Sequence, residues 1–437
     1  MEKPLLPPPV KLASSDLRQL SQVNEALLDG AINCDRAVLQ AWVDKTIRLV
    51  EFNRRGLKKL FATRFPDSDA HAVVLSLLIR RAWPSQQLLA SGMAAKPDMR
   101  ALNAALWIGD VSSSLVQSAS FVEAVSELHK VSGALPRYVD GRANSDWCEV
   151  FAETPVLTTA DSAKASAGSA PVVLFSPSRK SRNSVATLHR LADLEVNVSD
   201  IFVRRIGSVS RLREELRFSP QFLVKRVVNE LLRPSARRPQ SDSADLTALL
   251  ARMGCQERTV EEIAERFPNV RVRYFTNFNS DRCLAELKAL RPSYGVFTGG
   301  GIIREKTLET FEHGIIHAHP GILPQYKGMD VVQWAVLEGR YDAIGSTCQI
   351  MSPALDAGAL LSNDLIDSTA SKSLNDLRTA VVERKIDLLA ATCSGFVSGR
   401  ITATEHPESG RQYMLMHPRL VEVVSYILQN GHHRSAG

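Results

Sequence analysis

Apolar residues recur at helical spacing from residue 15 to about residue 131, as in the segments AVLQAWVDKTIRLVEF and HAVVLSLLIRRAW. Signals for β-strands are few in this part of the chain. Polar residues and prolines at 67–69, 84 and 96–98 mark turns between the helical segments. The pattern predicts an all-helical N-terminal domain over residues 1–153, and it does not indicate a role for that domain.

The segment at 154–170 has a different composition, because it lacks aromatic residues and consists mainly of small and polar ones. Such a segment buries too little apolar surface to offset the entropy lost on ordering it. It is therefore predicted to be a linker.

Short runs rich in β-branched and aromatic residues follow at 171–176, 200–205, 270–275 and 294–300, mostly with helical patterns between them. Alternating strands and helices predict an α/β domain at 171–367, with a Rossmann-like, doubly wound and mostly parallel sheet. A long interruption, at 208–267, is interpreted as an insertion into this domain. Two further helical patterns predict a short, mainly helical C-terminal region at 368–437.

The composition is that of a globular protein of two or three domains, since 437 residues exceed what one core usually organises. No apolar run approaches the ~20 residues that span a bilayer, so we expect a soluble protein without membrane association. The prolines near the N-terminus do not fit a signal peptide. Six cysteines without a C-x-x-C pair fit reduced thiols, and hence a cytoplasmic protein.

Basic residues are concentrated between positions 204 and 238, although the net charge of the whole chain is only +6. The cluster consists of Arg204, Arg205, Arg211, Arg213, Lys225, Arg226, Arg233, Arg237 and Arg238. It could serve an anionic partner, but a solvated face and a loop explain it equally well. No helix-turn-helix or RNA-binding module is visible, so specific nucleic-acid binding is not expected.

Two histidines stand at the end of a predicted strand, GIIHAH, which is followed by a Pro-Gly break. Residues i and i+2 of a strand share one face, so His317 and His319 would project together. Ligands of such sheets bind at the carboxyl ends of the strands. A histidine pair there can act as a general acid or base and a hydrogen-bond donor, or it can bind a metal.

An aspartate lies between apolar residues in the segment ALDAGALL, and a glycine that allows close backbone approach follows it. If Asp356 lies near His319, its carboxylate would favour the charged imidazolium and orient the ring. The pair would then form an acid/base unit. The alternative is an aspartate in an ordinary surface turn.

The segment at 295–366 resembles the formyltransferases that use 10-formyltetrahydrofolate, among them the enzymes acting on methionyl-tRNA, glycinamide ribonucleotide and amino sugars. The family pattern Asn-x-His-Pro-x-x-Leu-Pro-x-Tyr-x-Gly is followed by Leu-Asp-x-Gly. The residues that match are His319, Pro320, Leu323, Pro324, Tyr326, Gly328, Leu355, Asp356 and Gly358. The resemblance is strong over about 75 residues and looser from residue 171 onwards.

The resemblance implies an N-formyltransferase that moves a formyl group from 10-formyltetrahydrofolate to a small-molecule or carrier-bound amine. His319 and Asp356 would shuttle the proton. Folate would contact two loops, through Gly299, Gly300, Gly301, Ile302, Leu355 and Gly358. Candidate contacts to the acceptor substrate are Ser178, Arg179, Lys180, Tyr326 and Trp334, the last of which could equally pack a helix onto the sheet.

One departure from the family pattern bears on the chemistry, because His317 replaces the asparagine that is held to bind the formyl oxygen. A histidine N–H could donate to the same oxyanion. The first loop, SPSRKSRN, also lacks the glycines of the nucleotide-substrate members. Its residues could still receive a phosphate at a helix N-terminus.

Three other functions remain open from the sequence. Water as the acceptor would give a formyltetrahydrofolate hydrolase. The His-x-His pair with a distant aspartate would suit a metal-dependent hydrolase, whereas the formyltransferase hypothesis requires no metal. A non-catalytic binding protein could retain the fold, and a homodimer is compatible with any of these.

Overall fold

The computed structural model describes residues 47, 75–79, 81–82, 98–113, 119–141, 170–205, 246–406 and 410–431. The predicted linker at 154–169, residues 208–245 of the predicted insertion and much of the N-terminal region lie outside these residues. So do seven of the nine basic residues between 204 and 238.

The described residues form helices and strands in the following order along the chain. The helices are α1 (Met99–Ser112), α2 (Ala119–Gly141), α3 (Arg182–Asp193), α4 (Leu246–Arg252), α5 (Val260–Ala264), α6 (Asp281–Leu290), α7 (Glu305–Leu308), α8 (Val331–Leu337), α9 (Leu374–Val397) and α10 (Pro418–Gln429). The strands are β1 (Val172–Ser176), β2 (Val198–Arg204), β3 (Arg271–Phe275), β4 (Tyr294–Phe297), β5 (Ile315–His319), β6 (Tyr326–Gly328), β7 (Gly345–Ile350), β8 (Leu360–Leu365) and β9 (Arg411–Tyr413).

Two compact units are present, and both are discontinuous in sequence. The described residues of Val150–Val332 and Tyr341–Gln412 form the first unit. Those of Glu2–Glu149, Gln333–Arg340 and Tyr413–Gly437 form the second. The predicted division at residues 153 and 367 follows position along the chain, whereas the compact units combine distant segments.

The first unit contains a seven-stranded sheet in the order β3-β2-β1-β4-β5-β7-β8. The strands from β3 to β5 are parallel, and β7 and β8 pair antiparallel. This architecture confirms the predicted Rossmann-like, mostly parallel sheet. The strand order reverses between β1 and β4, and such a reversal opens a crevice at the carboxyl edge of a sheet.

The alternation of side chains along each strand places apolar residues on both faces of the sheet. Val172 and Leu174 of β1 pack in a core with residues of α3 and α9. Val173 and Phe175 of the same strand pack in a second core with residues of α6. Burial on both faces explains why the central strands read as continuous apolar runs.

Four helices of the first unit begin at side-chain caps. Ser181, Thr259, Ser280 and Ser373 each accept a hydrogen bond from a backbone N–H in the first turn of α3, α5, α6 and α9, respectively. A cap of this kind stabilises a helix by ~1 kcal/mol. The caps therefore set where each helix leaves the sheet.

The second unit is helical in its described residues, as the sequence pattern predicts for its N-terminal part. It includes α1, α2 and α10, and α10 packs against α2. None of the helices in the described ranges is long and apolar enough to cross a bilayer.

Candidate active site

The two histidines of β5 stand at the carboxyl edge of the sheet, as the sequence predicts. His317 pairs in register with Phe297 of β4 and with Gln349 of β7. His319 ends the strand and pairs with Thr347. Both side chains thus lie next to the strand-order reversal, where ligands of this fold bind.

His319 is held by hydrogen bonding to the segment that follows it. Its Nε2 lies 2.8 Å from the carbonyl oxygen of Tyr326, and a carbonyl only accepts, so Nε2 carries a proton. Its Nδ1 lies 3.6 Å from Oδ1 of Asp356. The His319 side chain is only 3% exposed. Both ring nitrogens therefore face protein groups.

Asp356 is oriented by main-chain and side-chain donors on both of its oxygens. Oδ2 accepts a hydrogen bond of 2.8 Å from the backbone N–H of Gly328. Oδ1 lies 3.3 Å from Nε2 of Gln349, which donates to it. The carbonyl group of Tyr326 and the N–H group of Gly328 face the same side of β6, because they are two residues apart in a strand. β6 therefore binds His319 through the first group and Asp356 through the second. The motifs that the sequence analysis joined do meet in space.

The loop that carries Asp356 depends on a glycine and a buried glutamine. The backbone N–H of Gly358 donates to Oε1 of Gln349 over 3.1 Å. A Cβ atom on Gly358 would lie 1.6 Å from the carbonyl oxygen of Ile350, so only glycine fits there. Asp356 itself has a left-handed backbone with φ of 48°, which is a conformation that needs support from its surroundings.

His317 makes a different set of contacts. Its Nδ1 lies 3.0 Å from the carbonyl oxygen of Phe297, to which it donates. Burial lowers the pKa of His317 to about 4, although the Phe297 carbonyl and Asp356 oppose the shift. The ring is then neutral at pH 7, with its only proton on Nδ1. A donor role towards an oxyanion would require a second proton on Nε2.

The glycine loop after β4 packs closely against neighbouring side chains. A Cβ atom on Gly300 would lie 2.5 Å from Cε2 of Phe278. The carbonyl oxygen of Gly300 accepts a hydrogen bond of 2.6 Å from Nη1 of Arg204. Gly299 and Gly301 also have positive φ. Ile302, the last of the predicted folate contacts in this loop, is 79% exposed.

The first loop connects β1 to α3 and has the expected position at a helix N-terminus. Ser178 accepts hydrogen bonds through its carbonyl oxygen from the hydroxyl of Ser176 and the backbone N–H of Ser181. Arg179 forms an ion pair of 3.0 Å with Glu261, and Lys180 is exposed. A phosphate contact at this loop stays a prediction.

The structure corrects the expectation for one substrate residue and refines another. Trp334 is 1% exposed, its Nε1 donates to the carbonyl oxygen of Met414, and its ring packs against Tyr413. No face of this ring is available to stack on a ligand, so Trp334 is a packing residue. Tyr326 is also fully buried, and it contributes to the site through its carbonyl oxygen.

The metal hypothesis is not favoured by the arrangement of the histidines. Within the described residues, the group whose ligand atoms converge within 4.8 Å is His189, Cys255 and Glu257, and not the pair on β5. In that group, Arg266 donates to Nδ1 of His189 over 2.6 Å, while Nε2 lies 3.0 Å from the Met253 carbonyl. Both nitrogens of His189 are thus engaged by the protein.

Three residues of the site were missed by the sequence analysis. Gln349 holds the loop of Asp356, and Arg204 holds the glycine loop, each by a side-chain hydrogen bond. Burial lowers the pKa of Lys327, and the nearby charge of Asp356 opposes this shift. The signal for Gln349 was a lone amide within the segment GSTCQIM, between the two motifs. Arg204 ends its strand, as the histidines do, and was noted only as part of a basic cluster.

Comparison with known proteins gives a family match over part of the chain. Residues 260–392 match the family model described as formyl transferase, and this range contains His317, His319, Gln349 and Asp356. The match covers less than a third of the chain. The match extends from α5 through most of α9, and the first loop and Arg204 lie outside it.

The curated relatives of this formyl transferase segment are methionyl-tRNA formyltransferases. That of Mycobacterium sp. (strain KMS) is 33% identical over 134 residues, which are 30% of this chain and 43% of the relative. The enzyme of Clostridium perfringens (strain SM101 / Type A) is 27% identical over 139 residues, which are 32% of this chain and 45% of the relative. The chain thus spans less than half the length of these relatives. Among solved structures, glycinamide ribonucleotide transformylase 1 from Symbiobacterium toebii matches 57% of this chain and 95% of its own, with 14% identity and a TM-score of 0.35.

Proposed function

We propose that this protein is an N-formyltransferase that moves a formyl group from 10-formyltetrahydrofolate to an amine acceptor. The observation that carries the proposal is the convergence of His319 and Asp356 at the carboxyl edge of the sheet, inside the segment that matches the family model. The relatives named above act, by their names, on amine groups of tRNA-bound methionine and of glycinamide ribonucleotide.

Exposed apolar side chains next to the candidate site would suit a flat, partly apolar ligand such as folate. Ile302, Met329 and Leu355 are large apolar side chains with at least half of their surface exposed, which is uncommon for such residues. Ile302 follows the glycine loop, and the other two flank the contact between Gly328 and Asp356. Folate would supply the formyl group, and these side chains would cover its apolar part.

The protein groups would position the reactants and move one proton. Asp356 is the carboxylate with oriented oxygens, and its negative charge would stabilise the protonated group that carries the amine proton to the departing nitrogen. His319 is a positioning residue in this scheme, because its Nε2 is bound to the Tyr326 carbonyl and its Nδ1 faces Asp356. The acceptor would be a small-molecule or carrier-bound amine.

Calorimetric titration with 5-formyltetrahydrofolate tests the proposal first. We expect saturable binding to the wild type, weaker binding to Asp356→Asn, and unchanged binding to the matched control Asp110→Asn in the second unit. The absence of binding at concentrations that saturate folate enzymes would contradict the proposal.

Turnover of 10-formyltetrahydrofolate then separates the remaining functions. Release of tetrahydrofolate that depends on an added amine indicates transfer, whereas release of formate with water alone indicates hydrolysis. Folate binding without release of tetrahydrofolate under either condition would favour a non-catalytic binding protein. Activity that is lost on chelation and restored by zinc would favour a metal-dependent hydrolase.

A further inference from the structure

The two histidines of β5 differ in which ring nitrogen they offer to a ligand. His319 has Nε2 on the Tyr326 carbonyl and Nδ1 next to Asp356, and its side chain is buried. His317 has Nδ1 on the Phe297 carbonyl. Within the described residues, Nε2 of His317 has no hydrogen-bond partner, and it is not among the buried unpaired atoms, so solvent reaches it.

The hydrogen bond to Phe297 determines the tautomer of His317. A carbonyl oxygen accepts and does not donate, so the proton of the neutral ring is on Nδ1. The edge-on contact between the rings of Phe297 and His317, with centroids 5.5 Å apart, further restricts rotation of the imidazole. Nε2 therefore presents a lone pair, whereas the asparagine of the family pattern presents an amide.

We propose that His317 is a catalytic residue whose unprotonated Nε2 accepts the hydrogen bond, and then the proton, of the attacking acceptor nitrogen. This role replaces donation to the formyl oxygen, and it rests on the proposed formyl transfer. The reacting nitrogen of the substrate must accordingly carry at least one N–H when it attacks, as a primary or secondary amine does.

The charged and titratable groups around His317 support a ring that is neutral before the reaction. His319 lies on the same strand, Asp356 on the loop after β7, and Lys385 on α9, and Lys385 and His319 both disfavour a charge on His317. Burial has the largest effect in the same direction. A negative charge that develops on the formyl oxygen would reverse this balance, because a nearby anion favours the imidazolium.

The transfer step balances with His317 as a temporary proton carrier. The acceptor nitrogen forms a bond to the formyl carbon while its N–H proton passes to Nε2 of His317. The imidazolium then gives this proton to N10 of folate as the bond between N10 and the formyl carbon breaks. The products are a formamide and tetrahydrofolate, and His317 returns to its initial state. His317 would therefore interact more strongly with the transition state than with the bound substrates, as catalysis requires.

The substitution His317→Asn distinguishes the two roles because it installs the residue of the family pattern. An asparagine amide can donate to the Phe297 carbonyl and to an oxyanion, but it cannot take up a proton. The asparagine side chain is about as large as the part of the His317 imidazole that lies nearest the backbone. The matched control is His313→Asn, since His313 is a half-exposed residue of the same unit whose ring contacts Tyr294 and Glu312, outside the candidate site.

Nitrogen NMR of protein labelled with ¹⁵N-histidine tests the premise without an acceptor substrate, with His317→Asn used to assign the signal. We expect a protonated Nδ1 and an unprotonated Nε2 at pH 7. An imidazolium, or a proton on Nε2 alone, would overturn the inference.

Release of tetrahydrofolate from 10-formyltetrahydrofolate, with hydroxylamine as the probe nucleophile, tests the role itself. We expect His317→Asn to lower kcat by a factor of about 100 or more, with KM for the folate nearly unchanged, and His313→Asn to change neither. If His317→Asn is as active as the wild type, the inference fails and the proposed function stands. If the wild type neither binds 5-formyltetrahydrofolate nor releases tetrahydrofolate, the proposed function fails and the inference fails with it.

Discussion

Each of the two compact units contains a buried histidine next to an aspartate, and the two pairs differ in what surrounds the acid. In the first unit His319 lies 3.6 Å from Asp356, and the Asp356 side chain is 8% exposed. In the second unit Nε2 of His417 lies 2.9 Å from Oδ2 of Asp110, whose side chain is 59% exposed. The shorter pair is thus the one with the solvated carboxylate.

The other contacts of His417 and of Asp356 explain why the two carboxylates differ in exposure. His417 is the N-cap of α10, where its Nδ1 accepts from the backbone N–H of Arg419 and its own N–H donates to Asn103. The contacts with Asn103 and Asp110 join this helix end to α1. Asp356 instead receives donors on both oxygens at the edge of a crevice. A buried and oriented carboxylate, rather than a short distance to histidine, distinguishes a reactive pair from a structural one.

The largest expected effect is on the rate of formyl transfer after loss of the buried charge. Asp356→Asn keeps the size and can still accept from Gly328, but it removes the negative charge. We expect tetrahydrofolate release to fall by about 10²–10⁴-fold, with the fold retained. The same substitution at Asp110 is expected to leave the rate within about twofold, since it alters a solvated group. Equal losses in both variants would contradict the comparison.

The next effect concerns the loop that carries Asp356. In Gly358→Ala the new Cβ would meet the Ile350 carbonyl, so the backbone must move, and we expect a loss of about 3 kcal/mol in the free energy of unfolding. Gly133 lies in α2 with no atom within 4 Å of the equivalent position. Gly133→Ala is therefore expected to stabilise the protein by about 0.5–1 kcal/mol. Urea denaturation measures both values, and destabilisation by both substitutions would show that crowding is not the cause.

A smaller effect concerns the pH dependence of stability. The pKa of His317 is lowered to about 4, so between pH 6.5 and 4 the unfolded chain binds a proton that the folded protein does not. The group therefore leaves the free energy of unfolding unchanged above pH 6.5 and lowers it as the pH falls towards 4, by about 3 kcal/mol. Thermal unfolding should show this slope in the wild type and in His313→Asn. A slope that persists in His317→Asn would assign it to another group.

The smallest effect concerns the structural pair. His417→Ala removes the cap of α10 and its contact with Asp110, and we expect a loss of about 1 kcal/mol. His417→Asn should lose less, because asparagine is itself a good N-cap residue. Urea denaturation of both variants tests this order, and a larger loss in His417→Asn would indicate that the contact of the His417 ring with Trp107, at 4.6 Å, dominates.

Much of the sheet could be predicted from the sequence, and part of it could not. The parallel strands β1, β2, β4 and β5 are largely buried, so each contains a short apolar run that stands out. The antiparallel strands β7 and β8 contain buried polar residues such as Ser346, Thr347 and Ser362. Ser362 bonds to Thr392 of α9, which is distant in sequence. A pattern of apolar residues does not reveal strands whose polar groups are satisfied in this way.

The candidate site shows the same division. The resemblance to the formyltransferases implied that His319 and Asp356 would lie together, and they are 3.6 Å apart. The contributions of Gln349 and Arg204 were not foreseen, because each holds a loop that only the folded chain brings near it. The burial of Trp334 was also invisible, since its neighbours Tyr413 and Met414 lie far along the chain. The catalytic roles themselves stay predictions.

The sequence by itself determined most of the helical segments and the parallel strands, because the periodicity of apolar residues is a local property. Tertiary structure alone decided which nitrogen of His317 carries the proton. That choice depends on the Phe297 carbonyl of the adjacent strand and on burial between packed layers. The protonation of a side chain follows from its neighbours in space, and packing rather than residue type selects those neighbours.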